Sequence, residues 1–270
     1  MPGPKEPGMP AAALDIQTFA DELFAAERDR AQIEAFSARA TLSAGDAYAI
    51  QLANVKRRQA AGEKVAGMKV GLTAKPIQKL LGVDQPDFGH LFASMRLGDG
   101  DDCLIGELIQ PRVEAEIGII LGRALRGPGL TDLDVLAATE ALVPTLEIVD
   151  SRIRDWKIAF VDTVADNGSA ARFVMGKKRT SPLGIDTRTL GTIFEKNGEV
   201  VGTGAGAAVL GANPFRAVAW LANTLAADGL ELHAGELIMP GAQCGMFPVT
   251  RGDVANADFG ILGTVSVRFV

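Results

Sequence analysis

The sequence predicts an α+β protein: a helical N-terminal part followed by a β-rich remainder, the two packed closely together. Three observations carry this. Apolar side chains recur at helical spacing up to Gly62, the spacing then shortens to two, and the second half is rich in glycine with a hairpin signal at Asn197-Gly198. No internal repeat or flexible linker divides the chain. Hydrophobic residues make up 47% of the 270, which excludes a disordered polypeptide and supplies a core for one large domain or two modest ones.

Residues 1–12 are rich in proline and glycine and are expected to form a mobile tail with no signal-peptide core. Ile16, Phe19, Ala20, Leu23 and Phe24 then form an apolar stripe that predicts a helix over 14–33. A second helix starts near Ser43, with Asp46 at capping-box spacing, and stops at Gly62. Tyr48, Leu52 and Val55 mark its apolar face, and Arg57 and Arg58 suit its C-terminal dipole. Residues 64–72 alternate as a strand, with Ala66, Met68, Val70 and Leu72 on one side and Gly67, Lys69 and Gly71 on the other. A lysine between two glycines has open space round its ammonium, as a ligand pocket requires; a solvated lysine beside two bulge glycines gives the same pattern. A short helix from Thr73 to Gly82 and a loop over 83–90, dense in turn formers, come next. Beyond Leu97 strands dominate, with two helices inserted. Thr131 and Asp134 cap one that runs through Leu142, and Asn213-Pro214 opens another that ends near Gly229. Residues 263–270 close the chain as a strand.

Composition narrows the function. A net charge of −6 with no basic stretch excludes nucleic acid as a partner. No apolar run approaches the roughly 20 residues of a membrane helix. Cys103 and Cys244 are too few for a disulfide framework or a zinc site, and a reducing cytoplasm is expected. With His90 and His233 the only histidines, imidazole-based metal or triad chemistry is poorly supplied.

Carboxylates remain. Glu114 and Glu116 share one face of the strand expected at 111–122, and Glu147 lies in a second apolar segment, 143–150. Three convergent carboxylates without histidine or cysteine suit a hard divalent cation such as Mg2+ or Mn2+. From spacing alone, the commoner arrangement is a solvated strand face on which Arg112 pairs with Glu114.

Seven segments change that balance: KVGLT at 69–73, GVDQPDFG at 82–89, PRVEAE at 111–116, LEIVDSRIRDWK at 146–157, DTVADNGS at 162–169, GAGAAVLG at 204–211 and AVAWLA at 217–222. In order and spacing they resemble the 2-keto-4-pentenoate hydratase family, within the fumarylacetoacetase-like superfamily, over nearly everything after the first forty residues. The resemblance implies a mixed β-roll or sandwich core of the fumarylacetoacetase C-terminal type. Residues 13–95 would form the N-terminal helical part with the first core strand and an active-site loop, and 96–270 a β-rich, metal-binding catalytic core. It implies Glu114, Glu116 and Glu147 as ligands of one Mg2+ or Mn2+, and Lys69, Asp87 and Ser169 as catalytic residues. Leu81 joins Lys69 and Ser169 as substrate-binding, and a homo-oligomer is expected. Local sequence alone would leave Glu147 bonded to loop amides, Asp87 capping the Pro86 turn and Ser169 closing the Asn167-Gly168 turn.

The activity implied is hydration of a small molecule, 2-hydroxypenta-2,4-dienoate, to 4-hydroxy-2-oxopentanoate in aromatic-compound degradation. C5 of the dienol takes a proton and water adds at C4. Lys69 and Asp87 are the expected proton-transfer pair, and Ser169 the hydrogen-bond donor to the carboxylate. A lysine beside a cation should have its charged form disfavoured. Two departures from the family stand out. Gly168 replaces an alanine, and residues 239–245, expected to line the pocket, lack the family's Thr-Gly or Ser-Gly turn. Cys244 is expected to be a pocket or core residue rather than a nucleophile.

Alternatives on the same scaffold are 4-oxalocrotonate decarboxylase and 2-oxohept-4-enedioate hydratase, whose second carboxylate would draw on Arg152 or Arg154. An acylpyruvase-type hydrolase needs a Glu/His pair that neither histidine is placed to complete, and His90 is expected in a loop, solvated or bonded to backbone. A metal-free binding protein is the remaining class, and the retained carboxylates, lysine and Asp87 argue against it.

Overall fold

The computed structural model describes residues 15–270, apart from the side chains of Ile77, Leu80 and Leu81; the tail expected over 1–12 lies outside the described residues. Its helices are α1 (Ile16–Asp29), α2 (Ala44–Ala60), α3 (Lys75–Leu81), α4 (Asp132–Ala138), α5 (Phe160–Ala165) and α6 (Pro214–Leu225). The strands are β1 (Val65–Gly71), β2 (Asp87–Phe92), β3 (Arg96–Gly98), β4 (Asp102–Cys103), β5 (Arg112–Leu121), β6 (Thr139–Val149) and β7 (Ala170–Met175). They continue with β8 (Gly191–Lys196), β9 (Glu199–Ala205), β10 (Leu237–Met239), β11 (Phe247–Pro248), β12 (Val254–Asp258) and β13 (Thr264–Phe269).

Two mixed sheets form the core. The larger runs β2-β1-β10-β5-β6-β7-β3, with β11 also on β5, and the smaller runs β4-β13-β12-β8-β9. The pairs β1·β10, β3·β7 and β4·β13 are parallel and the others antiparallel. β5 organises the whole. Its odd residues Val113, Ala115, Ile117, Ile119 and Leu121 pack with Ala255, Ala257, Val265, Val267 and Phe269 of the smaller sheet in one hydrophobic cluster. Its even residues, Glu114 and Glu116 among them, therefore face the other way. A strand buried on both sides reads as a continuous apolar run, and the two glutamates are the exception.

The helical layer backs the larger sheet. Ala20 and Leu23 of α1, Ala47 and Ile50 of α2, and Val164 and Ala165 of α5 share a separate cluster with Phe36. The caps follow the local chemistry. Ser43 and Asp46 form the expected capping box on α2, as do Thr131 and Asp134 on α4, and Asn213 accepts the Phe215 N–H ahead of α6. Asn197 and Gly198, both at positive φ, form the two-residue turn between β8 and β9.

Four expectations need correction. The loop expected over 83–90 ends at Pro86, because Asp87 begins a buried strand paired with β1. α4 stops at Ala138 rather than Leu142, because the apolar run after it is buried on both faces as β6. α1 ends at Asp29, where Arg30 turns left-handed, and Ile33 instead bridges to Ile153. The buried face of α2 is Ala47, Ile50, Gln51 and Val55; of the expected face Val55 is buried and Tyr48 is half-buried, stacked on Phe88, while Leu52 stays at the margin. Gln51 earns its interior position by donating to the Phe88 and Val164 carbonyls.

Candidate active site and metal centre

Strand register brings the three glutamates together. Glu114 lies directly opposite Glu147 across the β5–β6 ladder, and Glu116 opposite Thr145, so Glu147 is also the diagonal neighbour of Glu116. Carboxylate oxygens of all three lie within 4.8 Å of one another. Glu116 and Glu147 are 1% and 0% exposed, which excludes a solvated strand face. Gly241 donates its N–H to Glu116 Oε2 at 2.8 Å. Only a glycine fits there: φ is +116°, and a Cβ would sit 2.2 Å from Thr73 Oγ1.

Lys69 and Asp87 approach the cluster from the paired strands β1 and β2. Lys69 Nζ lies 3.4 Å from Glu147 Oε1, and Asp87 Oδ2 accepts from Thr163 Oγ1 at 3.2 Å. Both side chains close over the bare α-carbon of Gly71. A Cβ there would meet Asp87 Oδ1 at 2.1 Å and Lys69 Nζ at 3.2 Å. Gly71 therefore makes the room that its place beside Lys69 foreshadows. Gly67 has a different task, since its α-carbon lies against the backbone of Leu237.

The electrostatics fit a missing positive charge. Burial, and then repulsion from Glu147, push Glu114 up to about 7; the same two causes, with Glu114 added, raise Glu116 well above the ordinary range. Burial raises Glu147 and Asp87 as well, against the pull of Lys69. Both oxygens of Glu147 and Oδ1 of Asp87 are buried without a hydrogen-bond donor. An all-oxygen set of three carboxylates with orphaned acceptors suits a hard divalent cation, and Glu114, Glu116 and Glu147 are placed so that they could hold one. Lys69 is held between burial and the surrounding carboxylates. Burial alone would lower it, but Glu147, Asp87, Glu114 and Glu116 outweigh that and keep the ammonium charged in the metal-free protein.

These groups open onto a cleft of ≈ 510 Å³, whose lining includes Lys69, Asp87, Glu114 and Ser169. That is room for a small organic acid. Leu72, Val149, Ile158 and Met246 give it an apolar wall, and Gly241, Ala242, Cys244 and Gly245 of the segment expected to line it do so. Arg112 lines it too, its guanidinium 4.6 Å over the Trp156 ring. Cys244 belongs to the same wall; burial pushes its thiol up to about 11, which makes it a poor nucleophile. Leu81 closes α3, and its side chain lies outside those described.

Two further residues differ from the sequence reading. His90 is buried within β2, not in a loop, with Nδ1 3.2 Å from Gln51 Oε1. The Gln51 amide nitrogen already donates twice, so its oxygen faces His90 and Nδ1 carries the hydrogen. Burial drops this imidazole to about 4, so it stays neutral. Arg152 is not a cleft cation: it is 5% exposed and paired with Asp166 at 2.5 Å, while Arg154 is exposed and outside the cleft lining. Sequence reasoning passed over Thr163, Asp166 and Asn167 as site-supporting residues, although all three stand within the DTVADNGS segment.

No protein-family model matches the chain. It is 50% identical over 217 residues to a 2-hydroxypent-2,4-dienoate hydratase of Pseudomonas putida, covering 80% of this chain and 97% of that one. It is 48% identical over 226 residues to a 2-hydroxyhexa-2,4-dienoate hydratase of Comamonas testosteroni, covering 83% and 85%. Among solved structures, a 4-oxalocrotonate decarboxylase from Pseudomonas putida G7, complexed with magnesium and adipate, superposes with a TM-score of 0.91 at 39% identity, covering 94% and 97%. A fumarylpyruvate hydrolase from Pseudomonas aeruginosa, at 16% identity and a TM-score of 0.61 over 75% and 88%, shares the fold. The three-carboxylate centre and its cleft thus sit on a fumarylacetoacetase-like scaffold, in a chain that belongs to the 2-keto-4-pentenoate hydratase family of hydro-lyases.

Proposed function

We propose that the protein hydrates 2-hydroxypenta-2,4-dienoate to 4-hydroxy-2-oxopentanoate, with Mg2+ or Mn2+ held by Glu114, Glu116 and Glu147. The observation that carries this reading is one cleft flanked by the three carboxylates, the Lys69–Asp87 pair and Ser169, in a chain half identical to a dienoate hydratase. When bound, the cation supplies Lewis-acid polarisation of the 2-oxygen and offsets the carboxylate charge.

The chain's own residues do the rest. Lys69 and Asp87, sharing the space above Gly71, move protons to C5 and from the water that adds at C4. The net change is the gain of one water: C5 gains a proton, C4 gains a hydroxyl, C3 gains a proton and the 2-hydroxyl loses one as the enol becomes the ketone. Ser169, on the cleft wall, donates to the substrate carboxylate. The apolar wall of Leu72, Ile158 and Met246 shields the conjugated chain from bulk water.

A monocarboxylate substrate is favoured over the dicarboxylates of the decarboxylase or the enedioate hydratase. Arg152 is committed to Asp166 and Arg154 lies outside the cleft lining, which leaves Arg112, stacked on Trp156, as the remaining arginine there. We also take the protein to be a cytoplasmic homo-oligomer. Light scattering would test the oligomeric state. The activity is tested by loss of the dienol absorbance with Mg2+ or Mn2+ and again after chelation. Metal-dependent decay to 4-hydroxy-2-oxopentanoate is expected. Decay of 4-oxalocrotonate with CO2 release, and none of the dienoate, would transfer the assignment to the decarboxylase.

A further inference from the structure

Ser169 stands at the end of an unusual piece of backbone. Asn167, Gly168 and Ser169 have φ of 56°, 59° and 57°, three successive residues in the left-handed region. Two of them are not glycine, and such residues seldom adopt it, least of all in a row. Strained backbone of this kind persists only where its surroundings over-determine it. Here two clamps do so, and neither touches the cleft.

Arg152 spans the turn from behind. Its Nη2 donates to the Asp166 carbonyl at 2.6 Å and its Nη1 to the Ala170 carbonyl at 3.3 Å, the residues immediately before and after the turn. Nε reaches Asp166 Oδ1, and the Arg152 backbone N–H reaches Asp166 Oδ2 at 3.0 Å. The guanidinium is thus spread across both ends of the three-residue segment, which a lysine ammonium cannot reproduce. From the other side, the Asn167 amide pairs with the backbone of β2. Its Oδ1 accepts the His90 N–H at 2.7 Å and its Nδ2 donates to the His90 carbonyl at 2.9 Å. Gly89 permits this approach, since a Cβ there would lie 2.2 Å from the Asn167 carbonyl oxygen.

The turn in its turn touches the catalytic lysine. A Cβ on Gly168 would sit 3.1 Å from Lys69 Cδ and 3.4 Å from Nζ. Its position therefore fixes both where Ser169, whose hydroxyl reaches Asp166 Oδ2 at 3.4 Å, stands on the cleft wall and what lies along the Lys69 stem. We propose that Arg152 and Asn167 are positioning residues that hold this left-handed turn, and through it Ser169, in the geometry the reaction needs. This rests on the hydratase reading for the role of Ser169.

The test is a double-mutant cycle on the metal-loaded full chain. Asn167→Gly leaves the left-handed backbone accessible and removes only the amide clamp; Arg152→Lys keeps a charge opposite Asp166 and removes the bridge between the carbonyls. Each is expected to lower kcat on the dienoate roughly 10- to 100-fold, with Mn2+ affinity changed less than about twofold. In a Ser169→Ala background the same changes are expected to cost less than about threefold, because they act through that side chain. Penalties that persist in full in that background, or a wild-type kcat in folded Asn167→Gly, overturn the proposal. Arg152 is buried, so if Arg152→Lys fails to fold, Asn167→Gly carries the cycle alone. Calorimetric affinity for pyruvate, a 2-oxo-acid fragment, with Mg2+ present runs through the same cycle. A wild-type protein inert toward the dienoate but coupled on pyruvate overturns the activity and upholds the positioning. Absence of coupling on pyruvate overturns the positioning.

Discussion

Glu114 and Glu147 face each other as a directly opposed pair on neighbouring antiparallel strands, with no hydrogen-bond donor for either oxygen of Glu147. Like charges in that relationship destabilise a sheet unless something of opposite sign lies between them. Lys69, 3.4 Å from Glu147, offsets one charge and leaves the others.

Replacing Glu116 by glutamine removes one of three mutually repelling carboxylates while keeping its shape. Metal affinity should fall about 100-fold or more, since even groups that only support a ligand cost 10- to 100-fold. The metal-free variant should nevertheless melt higher than the metal-free wild type at pH 8. Calorimetric titration with Mn2+ and a melting curve check both; wild-type metal affinity would remove Glu116 from the ligand set.

Metal-free stability should fall as pH rises. Glu114, raised to about 7 by burial and then by Glu147, binds a proton more tightly folded than unfolded, where it titrates near 4.5. Between those values the native state holds more protons, so the contribution of this group is fully present below pH 4.5 and is lost on passing through about 7. Protons and metal compete for the same oxygens, so the rise in melting temperature on adding Mg2+ should be larger at pH 8 than at pH 5. A shift independent of pH would contradict the cluster as the binding site.

Gly71→Ala should lower kcat by about 100-fold or more and leave metal binding nearly unchanged. The added methyl overlaps Asp87 Oδ1 and crowds Lys69 Nζ, neither of which belongs to the carboxylate trio. Steady-state kinetics beside Mn2+ titration separates the two effects. Unimpaired turnover would mean that Lys69 and Asp87 need not share that space.

Lys69→Met removes the internal cation and its proton while keeping the stem that packs on Gly168. Turnover should fall roughly 10²- to 10⁴-fold, with metal affinity retained or increased because a competing positive charge is gone. Loss of fold and metal together, seen by circular dichroism and titration, would make Lys69 structural.

How legible the molecule is in its sequence depends on how local each determinant is. The boxes at Ser43–Asp46 and Thr131–Asp134 and the Asn197-Gly198 turn are settled within four residues, and each forms where its pattern says. β2 is not legible, because Asp87, Gly89 and His90 are poor strand formers placed there by the lysine pocket, the close approach of Asn167 and the Gln51 contact. Glu114 and Glu116 share a face by alternation alone. Their meeting with Glu147 depends on the β5–β6 register, which no local pattern encodes, and only the resemblance to a family supplied it. Arg152 misleads for a related reason: a guanidinium bonded to its own neighbourhood looks in sequence like any surface arginine.

The place of β10 in the larger sheet has a consequence for how the enzyme comes into being. Lys69 and Asp87 ride on the β1–β2 pair, the glutamates on β5–β6, and three residues, Leu237–Met239, join the two halves. On a ribosome, both charged halves are complete long before that joining segment exists. Until it arrives β1 keeps an open parallel edge, and the Asn167 turn against β2 is what ties the lysine to the acids it must face. Topology of this kind folds slowly, since a contact spanning most of the chain must close first. Ion binding at the glutamates can precede assembly, but a working cleft cannot.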